Sequence, residues 1–358
     1  MATRSRASAP GKVILMGEHA AVYGRPALVA ALDLRCDVEI EERSGGGLTL
    51  SLPDLGIEEE SDWERVLTYS EGARRRWNDH AQDPSGRSFA EVVGTDPAHL
   101  VKVALGETAR EAGAARPPGA RVLVRSEIPC GAGFGSSAAL AVALPAALLA
   151  AWGESAEATR IERVALEIER RQHGFPSGVD HATVLAGGVV HARRDGDGRL
   201  AFRPLEVDGS ALSAFRLFHT GEPADGTGEV VAAVRARFAR RHAELDELLD
   251  GMESETISFA AALSRWSGEA RGVAAEAVRG FEACLERLDV VPAGVRTVIR
   301  ALEAGGAAAK ISGAGSTRGP GAGALLVLPP SGEEVEPAGP VRVTATLGAP
   351  GLSVEGRG

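Results

Sequence analysis

The sequence predicts an α+β protein built of two domains, and three observations lead to this class. The chain has 358 residues, more than a single hydrophobic core of ordinary size holds. Hydrophobic residues make up 44% of it and charged residues 25%, the balance of a globular protein with a full-sized core. Segments with the alternation of β-strands are mixed with helical segments in two blocks. We place the two domains at residues 1–210 and 211–358.

In the N-terminal block, strands are predicted at residues 12–16 and 27–42, where Val38 and Ile40 alternate with acidic residues. The triple glycine at 45–47 predicts a hairpin turn from the second strand into LTLSL. Residues 62–110 have a charged helical pattern with a break at 84–86. A strand at 121–128 ends at Pro129. Helices follow at 137–152, with a kink or a break expected near Pro145, and at 156–173.

In the C-terminal block, amphipathic helices are predicted at residues 229–249, 253–266 and 270–288, followed by a glycine-rich end.

The charge and the cysteines restrict the function classes. The formal net charge of −10 argues against nucleic acid or an acidic membrane as the main partner. Cys36, Cys130 and Cys284 are spaced too far apart for a metal pattern or a disulfide framework, so we expect small buried thiols in a reducing compartment. Neither a signal peptide nor a membrane span is predicted, and we expect a cytoplasmic protein.

The stretch GAGFGSSAALAVAL, residues 131–144, has two interpretations. It is either a tight turn between a strand and a buried helix, or a loop whose amides bind an anion at a helix N-terminus. It lacks the Gly-Lys-Ser/Thr ending of a Walker A loop and the glycine spacing of dinucleotide-binding motifs.

Three further segments contain candidate catalytic or binding residues. APGKVILMGEHAAVYG (residues 9–24) contains Lys12, Glu18 and His19. HGFPSGVDHATVLAGG (173–188), with Glu169 shortly before it, contains Asp180. KISGAG (310–315) is a second glycine turn. Each segment alone is a weak signal.

Together the four segments resemble the signature of the GHMP kinases, the superfamily of galactokinase, homoserine kinase, mevalonate kinase and phosphomevalonate kinase. The resemblance is closest to the mevalonate kinases, because the third segment follows their pattern H-G-x-P-S-G-[VI]-D-N. The tail TATLGAPGLSVE, residues 344–355, also looks like their ending. The resemblance spans the chain and is weakest over residues 48–120 and after 212. It implies an S5-like N-terminal domain, a ferredoxin-like C-terminal domain and a folded tail.

The resemblance also implies the activity. It points to ATP-dependent phosphorylation of the primary hydroxyl of mevalonate to 5-phosphomevalonate, in isoprenoid precursor biosynthesis, with ATP as co-substrate and Mg²⁺ as the metal. Mevalonate would be the small-molecule partner, nucleic acid and membrane are not expected, and a homodimer is allowed. The alternatives are another GHMP kinase acting on phosphomevalonate or a sugar, and an inactive nucleotide-binding regulatory homologue.

Matched by position, the site residues have these implied roles. Asp180 would receive or orient the proton of the attacking hydroxyl, with Lys12 beside it stabilising the transferred group. Mg²⁺ would bind Ser137 and Glu169. The substrate would contact Glu18, His19 and Thr227. ATP would bind the backbone of Gly131, Gly133, Gly135, Ser136, Ser137, Gly313 and Gly315.

Ordinary structural roles compete with each assignment: an N-cap for Ser137, a solvent-facing carboxylate for Glu169, a turn aspartate for Asp180, a surface lysine for Lys12 and a core histidine for His19. Two departures from the family pattern stand out. His181 occupies the place of an asparagine. The last glycine motif continues as STRGPGAG instead of a glycine run, and Arg318 in it is expected to contact a phosphate and modulate nucleotide affinity.

Overall fold

Two separate β-sheets with helices packed against them form the computed structural model, which describes residues 4–83, 89–194 and 200–356. The predicted α+β class is therefore confirmed. The break predicted at residues 84–86 lies outside the described ranges.

Twelve strands are found in the described residues. In chain order they are β1 (Arg4–Met16), β2 (Ala27–Arg43), β3 (Gly47–Leu52), β4 (Ile57–Asp62), β5 (Gly119–Ser126), β6 (Val189–Arg194), β7 (Leu200–Pro204), β8 (Arg216–His219), β9 (Ala308–Ser312), β10 (Ala324–Leu328), β11 (Val341–Val343) and β12 (Ser353–Glu355). The first sheet has the order β12-β1-β2-β5-β3-β4, with β6 on β2 and β7 on β6. The second sheet, β11-β8-β10-β9, is antiparallel throughout.

The helices of the described residues are α1 (Trp63–Gln82), α2 (Phe89–Val93), α3 (His99–Glu111), α4 (Ser136–Ala151), α5 (Ala158–His173), α6 (Val179–Ala186), α7 (Gly209–Leu212), α8 (Thr227–Phe238), α9 (His242–Ser264), α10 (Gly268–Leu288) and α11 (Ala293–Ala304). The predicted helices at 229–249 and 253–266 were divided at the wrong point. The chain leaves the helical path at residues 239–241, and α9 continues through Gly251, because the face bearing Leu248, Met252 and Phe259 is buried.

The hairpin predicted at residues 45–47 is wrong, because β5 lies between β2 and β3. Strand β5 is antiparallel to β2 and parallel to β3, with Leu48 opposite Ala120. The glycine turn closes on the start of β5, where the Gly119 amide donates to the Gly45 carbonyl at 2.8 Å. A Cβ at Gly119 would lie 2.4 Å from that oxygen, so this close approach requires glycine.

Helix α4 is the buried centre of the N-terminal half and packs on β1 and β2. Of the kink or break predicted near Pro145, the break is absent, because α4 continues through this proline to Ala151. Nearly every residue around it is buried, so packing outweighs the local cost of the proline. In the described ranges no helix combines the length and the apolar character that crossing a membrane requires.

The C-terminal segment returns to the first sheet. Strand β12 pairs with β1, Leu347 bridges to Leu32, and Pro350 bridges to Gly187. The Arg35 guanidinium donates to the carbonyls of Pro350 and Gly351 at 3.0 and 2.9 Å. The tail is therefore folded, as predicted, but its last strand does not belong to the second sheet.

Two neighbouring glycines test how closely the tail packs. Gly187 has φ +74°, and a Cβ there would lie 2.1 Å from the Gly351 nitrogen. Gly188 has φ +67° and no atom within 4 Å of that position. We expect Gly188→Ala to cost about 1–2 kcal/mol of unfolding free energy from the left-handed backbone alone. Gly187→Ala should cost at least about 2 kcal/mol more, since the tail must move and since a ψ of −173° with this φ is open almost only to glycine.

Urea unfolding of the two variants measures the difference. Equal losses would show that the tail does not press on Gly187.

Candidate active site

The first and third motifs meet at an ion pair. Lys12 lies in β1 directly after a β-bulge between Pro10 and Gly11, and Asp180 lies in the first turn of α6. The Lys12 Nζ is 3.1 Å from the Asp180 Oδ2, with the lysine side chain 6% exposed and the aspartate 35% exposed. The predicted adjacency is confirmed. A nearly buried cation thus holds a carboxylate that still reaches solvent.

The glycine loop between β5 and α4 lies against this pair. Gly131, Gly133 and Gly135 have φ of +67°, +83° and +82°, which side-chain-bearing residues rarely adopt. A Cβ at Gly135 would lie 2.6 Å from the Lys12 Cγ. The Lys12 amide donates to the Phe134 carbonyl at 2.8 Å. Gly135 is therefore required where the loop passes over Lys12, and the other two glycines allow its left-handed turns.

The start of α4 is suited to an anion. Its N-cap is Gly135, which has no side chain to accept from the first helical amides. Those amides and the positive end of the helix dipole favour negative charge. Cys130, just before the loop, is exposed and Cys284 is only partly buried, so the expectation of three buried thiols is confirmed for Cys36 alone. Cys130 lies in a turn rather than in a packed strand.

Two histidines hold the predicted metal ligands. The Ser137 Oγ is 2.8 Å from the His173 Nε2, and the Glu169 Oε2 is 3.1 Å from the His181 Nδ1. Glu169 and His181 are both 2% exposed, so Glu169 is not the solvent-facing carboxylate of the competing interpretation. Glu169 and His173 are four residues apart in α5 and share one helix face. The sequence offered no signal for either pairing beyond the unusual residue at position 181.

His19 occupies a strained turn. Its φ and ψ are +59° and −44°, and the Ala20 amide donates to the Glu18 carbonyl at 2.6 Å, which makes a γ-turn centred on His19. Its Nε2 lies 2.9 Å from the Ala314 carbonyl. Burial lowers the pKa of His19, so the ring is neutral. A carbonyl only accepts, so Nε2 carries the proton and Nδ1 is an acceptor. This Nδ1 is buried without a partner among the described residues.

Glu18 forms a buried ion pair that the sequence did not predict. Its Oε1 accepts from the Lys310 Nζ, and both side chains are 0% exposed. Lys310 also donates to the Ile311 carbonyl at 2.8 Å. Burial raises the pKa of Glu18, and Lys310 opposes that shift. Because Lys310 lies in β9 and Glu18 follows β1, this pair joins the two sheets.

A second buried carboxylate faces the same strand. The Glu282 Oε2 accepts from the Ile311 amide at 3.0 Å, and burial raises the pKa of Glu282 to about 8. Glu282 is therefore largely protonated near neutral pH and adds little charge beside Lys310.

The fourth motif is held to the start of α8 by Asp225. Its Oδ2 accepts from the Ser316 Oγ at 3.0 Å and from the Thr317 amide and Oγ1 at 2.8 and 2.7 Å. Its Oδ1 accepts from the Arg318 Nε. Burial alone would raise the pKa of Asp225, but the hydrogen bonds from Thr317 and Arg318 lower it to about 2. Asp225 was missed because its partners lie some ninety residues away.

The remaining predicted residues, Gly313, Gly315 and Thr227, are close in the chain to Asp225 or to its partners at 316–318. Gly313 and Gly315 have φ of +106° and +71°. Thr227 is the exposed first residue of α8, and a Cβ at the next residue, Gly228, would lie 3.3 Å from the His173 carbonyl. The start of α8 thus touches the end of α5, next to Ser137.

Comparisons with known proteins agree with this geometry. Residues 99–188 match the family model described as GHMP kinases N terminal domain. The chain is 30% identical to the mevalonate kinase of Thermococcus onnurineus, over 91% of this chain and 90% of the relative. It is 30% identical to the human mevalonate kinase, over 97% and 94%. The crystal structure of the Methanococcus jannaschii mevalonate kinase superposes with a TM-score of 0.69 at 19% identity, covering 95% of this chain and 98% of that one. The predicted two-domain GHMP fold is confirmed.

The Glu18–Lys310 pair leads to a stability prediction. Lys310→Met leaves the Glu18 carboxylate buried without a counter-charge, and we expect it to lower the unfolding free energy by about 3–5 kcal/mol. The double variant Glu18→Gln, Lys310→Met removes both charges and should recover a large part of that loss. Chemical denaturation of Lys310→Met, Glu18→Gln and the double variant measures the coupling, and strictly additive losses would contradict it.

Proposed function

The chain belongs to the mevalonate kinase family of the GHMP kinases, and we propose that it transfers the γ-phosphoryl group of ATP to the primary hydroxyl of mevalonate. The products are 5-phosphomevalonate and ADP. The Lys12–Asp180 pair is the observation that carries the proposal, because it combines an accessible carboxylate with a fixed cation beside a glycine loop.

Phosphoryl transfer requires in-line positioning and neutralisation of spreading charge more than covalent chemistry. In the proposed reaction the substrate hydroxyl donates to the Asp180 carboxylate, which takes or orients its proton as the oxygen attacks phosphorus. The Lys12 ammonium fixes that carboxylate and stabilises the negative charge of the phosphoryl group in transit.

We assign the ATP phosphates to the glycine loop and the start of α4. The amides of Gly131, Gly133, Gly135, Ser136 and Ser137 are the proposed donors, because the left-handed glycines allow them to surround an anion. Gly313 and Gly315, in the fourth motif, are proposed to close the nucleotide site from the other sheet.

Ser137 and Glu169 are the proposed Mg²⁺ ligands. No group of three or more His, Cys, Asp or Glu side chains in the described ranges is arranged to hold a metal ion. A hydroxyl and a carboxylate nevertheless fit magnesium, which prefers oxygen and keeps several waters. His173 supports this pairing: it contacts Ser137 and lies one helical turn, about 6 Å along the axis, from Glu169. Bound Mg²⁺ would neutralise charge on the phosphates.

The substrate hydroxyls are assigned to acceptors on the first motif. His19 presents an unpartnered Nδ1, which suits a hydroxyl donor. Thr227 is the proposed contact from α8. Glu18 stays a proposed substrate residue through its Oε2, which has no partner among the described residues.

We further propose that the reaction supplies isoprenoid precursors in the cytoplasm, that a homodimer is compatible with it, and that the domains divide near residue 210. Because β12 pairs with β1, a C-terminal domain with these bounds also contributes a strand to the sheet of the N-terminal domain.

A parallel substrate assay tests the proposal. ADP release is measured with mevalonate, phosphomevalonate, galactose and homoserine at matched concentrations. Release with mevalonate alone is expected, because the acceptor-rich first motif does not suit a phosphorylated reacting oxygen. Release with phosphomevalonate or a sugar but not with mevalonate would assign the chain to another GHMP activity. No release with any of the four would favour the inactive regulatory homologue.

The metal assignment leads to its own prediction. Glu169→Gln keeps the size and the contact with His181 but removes the charge that would bind Mg²⁺. We expect kcat to fall at least ~100-fold, since charge stabilisation of this kind is worth two or more orders of magnitude. The magnesium concentration for half-maximal rate should rise, while circular dichroism stays unchanged. An unchanged magnesium titration would make Glu169 a structural residue.

A further inference from the structure

The proposed substrate poses a charge problem. Mevalonate carries a carboxylate at the end opposite its reacting hydroxyl, and the chain has a formal net charge of −10. Specific binding of that carboxylate therefore requires a local cation near the substrate end of the site. This inference rests on the proposed function.

The four motif segments contain two lysine or arginine side chains, Lys12 and Lys310, and Arg318 lies three residues beyond the end of the fourth segment. Lys12 is paired with Asp180 at the reacting end. Lys310 is 0% exposed and paired with Glu18. His19 is neutral and presents an acceptor, so it repels rather than binds a carboxylate.

Arg318 differs from the two lysines in how it is held. Asp225 accepts from its Nε, yet the arginine side chain is 68% exposed. Its two terminal nitrogens make no hydrogen bond within the described ranges. Asp225 thus fixes one edge of the guanidinium and leaves the other edge, a pair of parallel donors, open. Such an edge matches the two oxygens of a carboxylate.

The loop that carries Arg318 runs between two proposed substrate contacts. At one end the Ala314 carbonyl accepts from His19. At the other end a Cβ at Gly319 would lie 2.7 Å from the Ala224 Cβ, and Asp225 is two residues before Thr227. The Cα atoms of Ala314 and Arg318 are at most about 14 Å apart, since Arg318 is four positions further along the chain.

We propose that Arg318 is the anchor for the substrate carboxylate, oriented by Asp225, and that it selects an acidic substrate. In this proposal the Arg318 side chain binds mevalonate and does not bind ATP. The sequence-based expectation of a phosphate contact becomes the competing outcome of the test.

The test compares mevalonate with mevalonamide, in which a neutral carboxamide replaces the carboxylate and the primary hydroxyl is retained. Initial rates of wild type, Arg318→Ala, Arg318→Lys and the control Arg237→Ala are measured with both substrates and with varied ATP. Arg237 is a partly exposed arginine paired with Asp289 in the same half of the chain. Arg237→Ala therefore makes the same chemical change as Arg318→Ala, the loss of an arginine that is paired with an aspartate.

Arg318→Ala should raise the KM for mevalonate at least ~10-fold, as expected for loss of a charge-assisted bidentate contact. The KM for ATP and the rate with mevalonamide should change less than about twofold, which corresponds to ~0.4 kcal/mol. Arg318→Lys should recover part of the mevalonate affinity, and Arg237→Ala should behave as wild type.

Other outcomes overturn the assignment. Equal losses with mevalonate and mevalonamide would reduce Arg318 to a structural clasp for the loop. A rise in the KM for ATP alone would assign it to the nucleotide, and unchanged kinetics would make it ordinary surface. A wild-type protein that phosphorylates no mevalonate would overturn the proposed function itself, which these variant-specific results do not.

Discussion

The ion pair between Lys12 and Asp180 is the contact around which the site is built. It forms only if β1 passes under the glycine loop and if α6 begins where the third motif turns. The first condition needs Gly135, where a Cβ would lie 2.6 Å from the Lys12 Cγ. The second needs Gly178, the N-cap of α6, with φ +87°. Two glycines in separate motifs thus allow one cation and one carboxylate to meet at 3.1 Å.

A second set of contacts fixes the two sheets against each other at the same place. Lys310 pairs with Glu18, the Ile14 amide donates to the Ser312 Oγ at 2.9 Å, and the His19 ring contacts Ala314. All three join the first motif to the fourth. Breaking a buried ion pair leaves a buried charge without a partner, so a shift of one sheet relative to the other at Glu18 and Lys310 would be costly.

The sequence predicted what depends on local pattern or on whole motifs. The α+β class, the strand β2, the helix before His173 and the meeting of Lys12 with Asp180 belong to this group. Sequence-based prediction failed where contacts with residues distant in the chain determine the structure. The glycines at 45–47 are compatible with a hairpin or with a crossing over β5, and only the pairing of Leu48 with Ala120 distinguishes the two. Lys310 and Asp225 were missed because a charged residue near a glycine turn does not indicate which distant side chain it will pair with.

The most direct measurement of the central claim is a double-variant cycle on this ion pair. The kcat of Asp180→Asn, Lys12→Met and the double variant is determined at saturating mevalonate and ATP, with ATP binding checked separately. If the pair acts as a unit at the reacting oxygen, Asp180→Asn loses at least ~100-fold in kcat while ATP binding remains. Lys12→Met then loses much of the same activity, and the double variant loses less than the product of the two. An Asp180→Asn enzyme with a near-normal kcat on mevalonate would contradict the account.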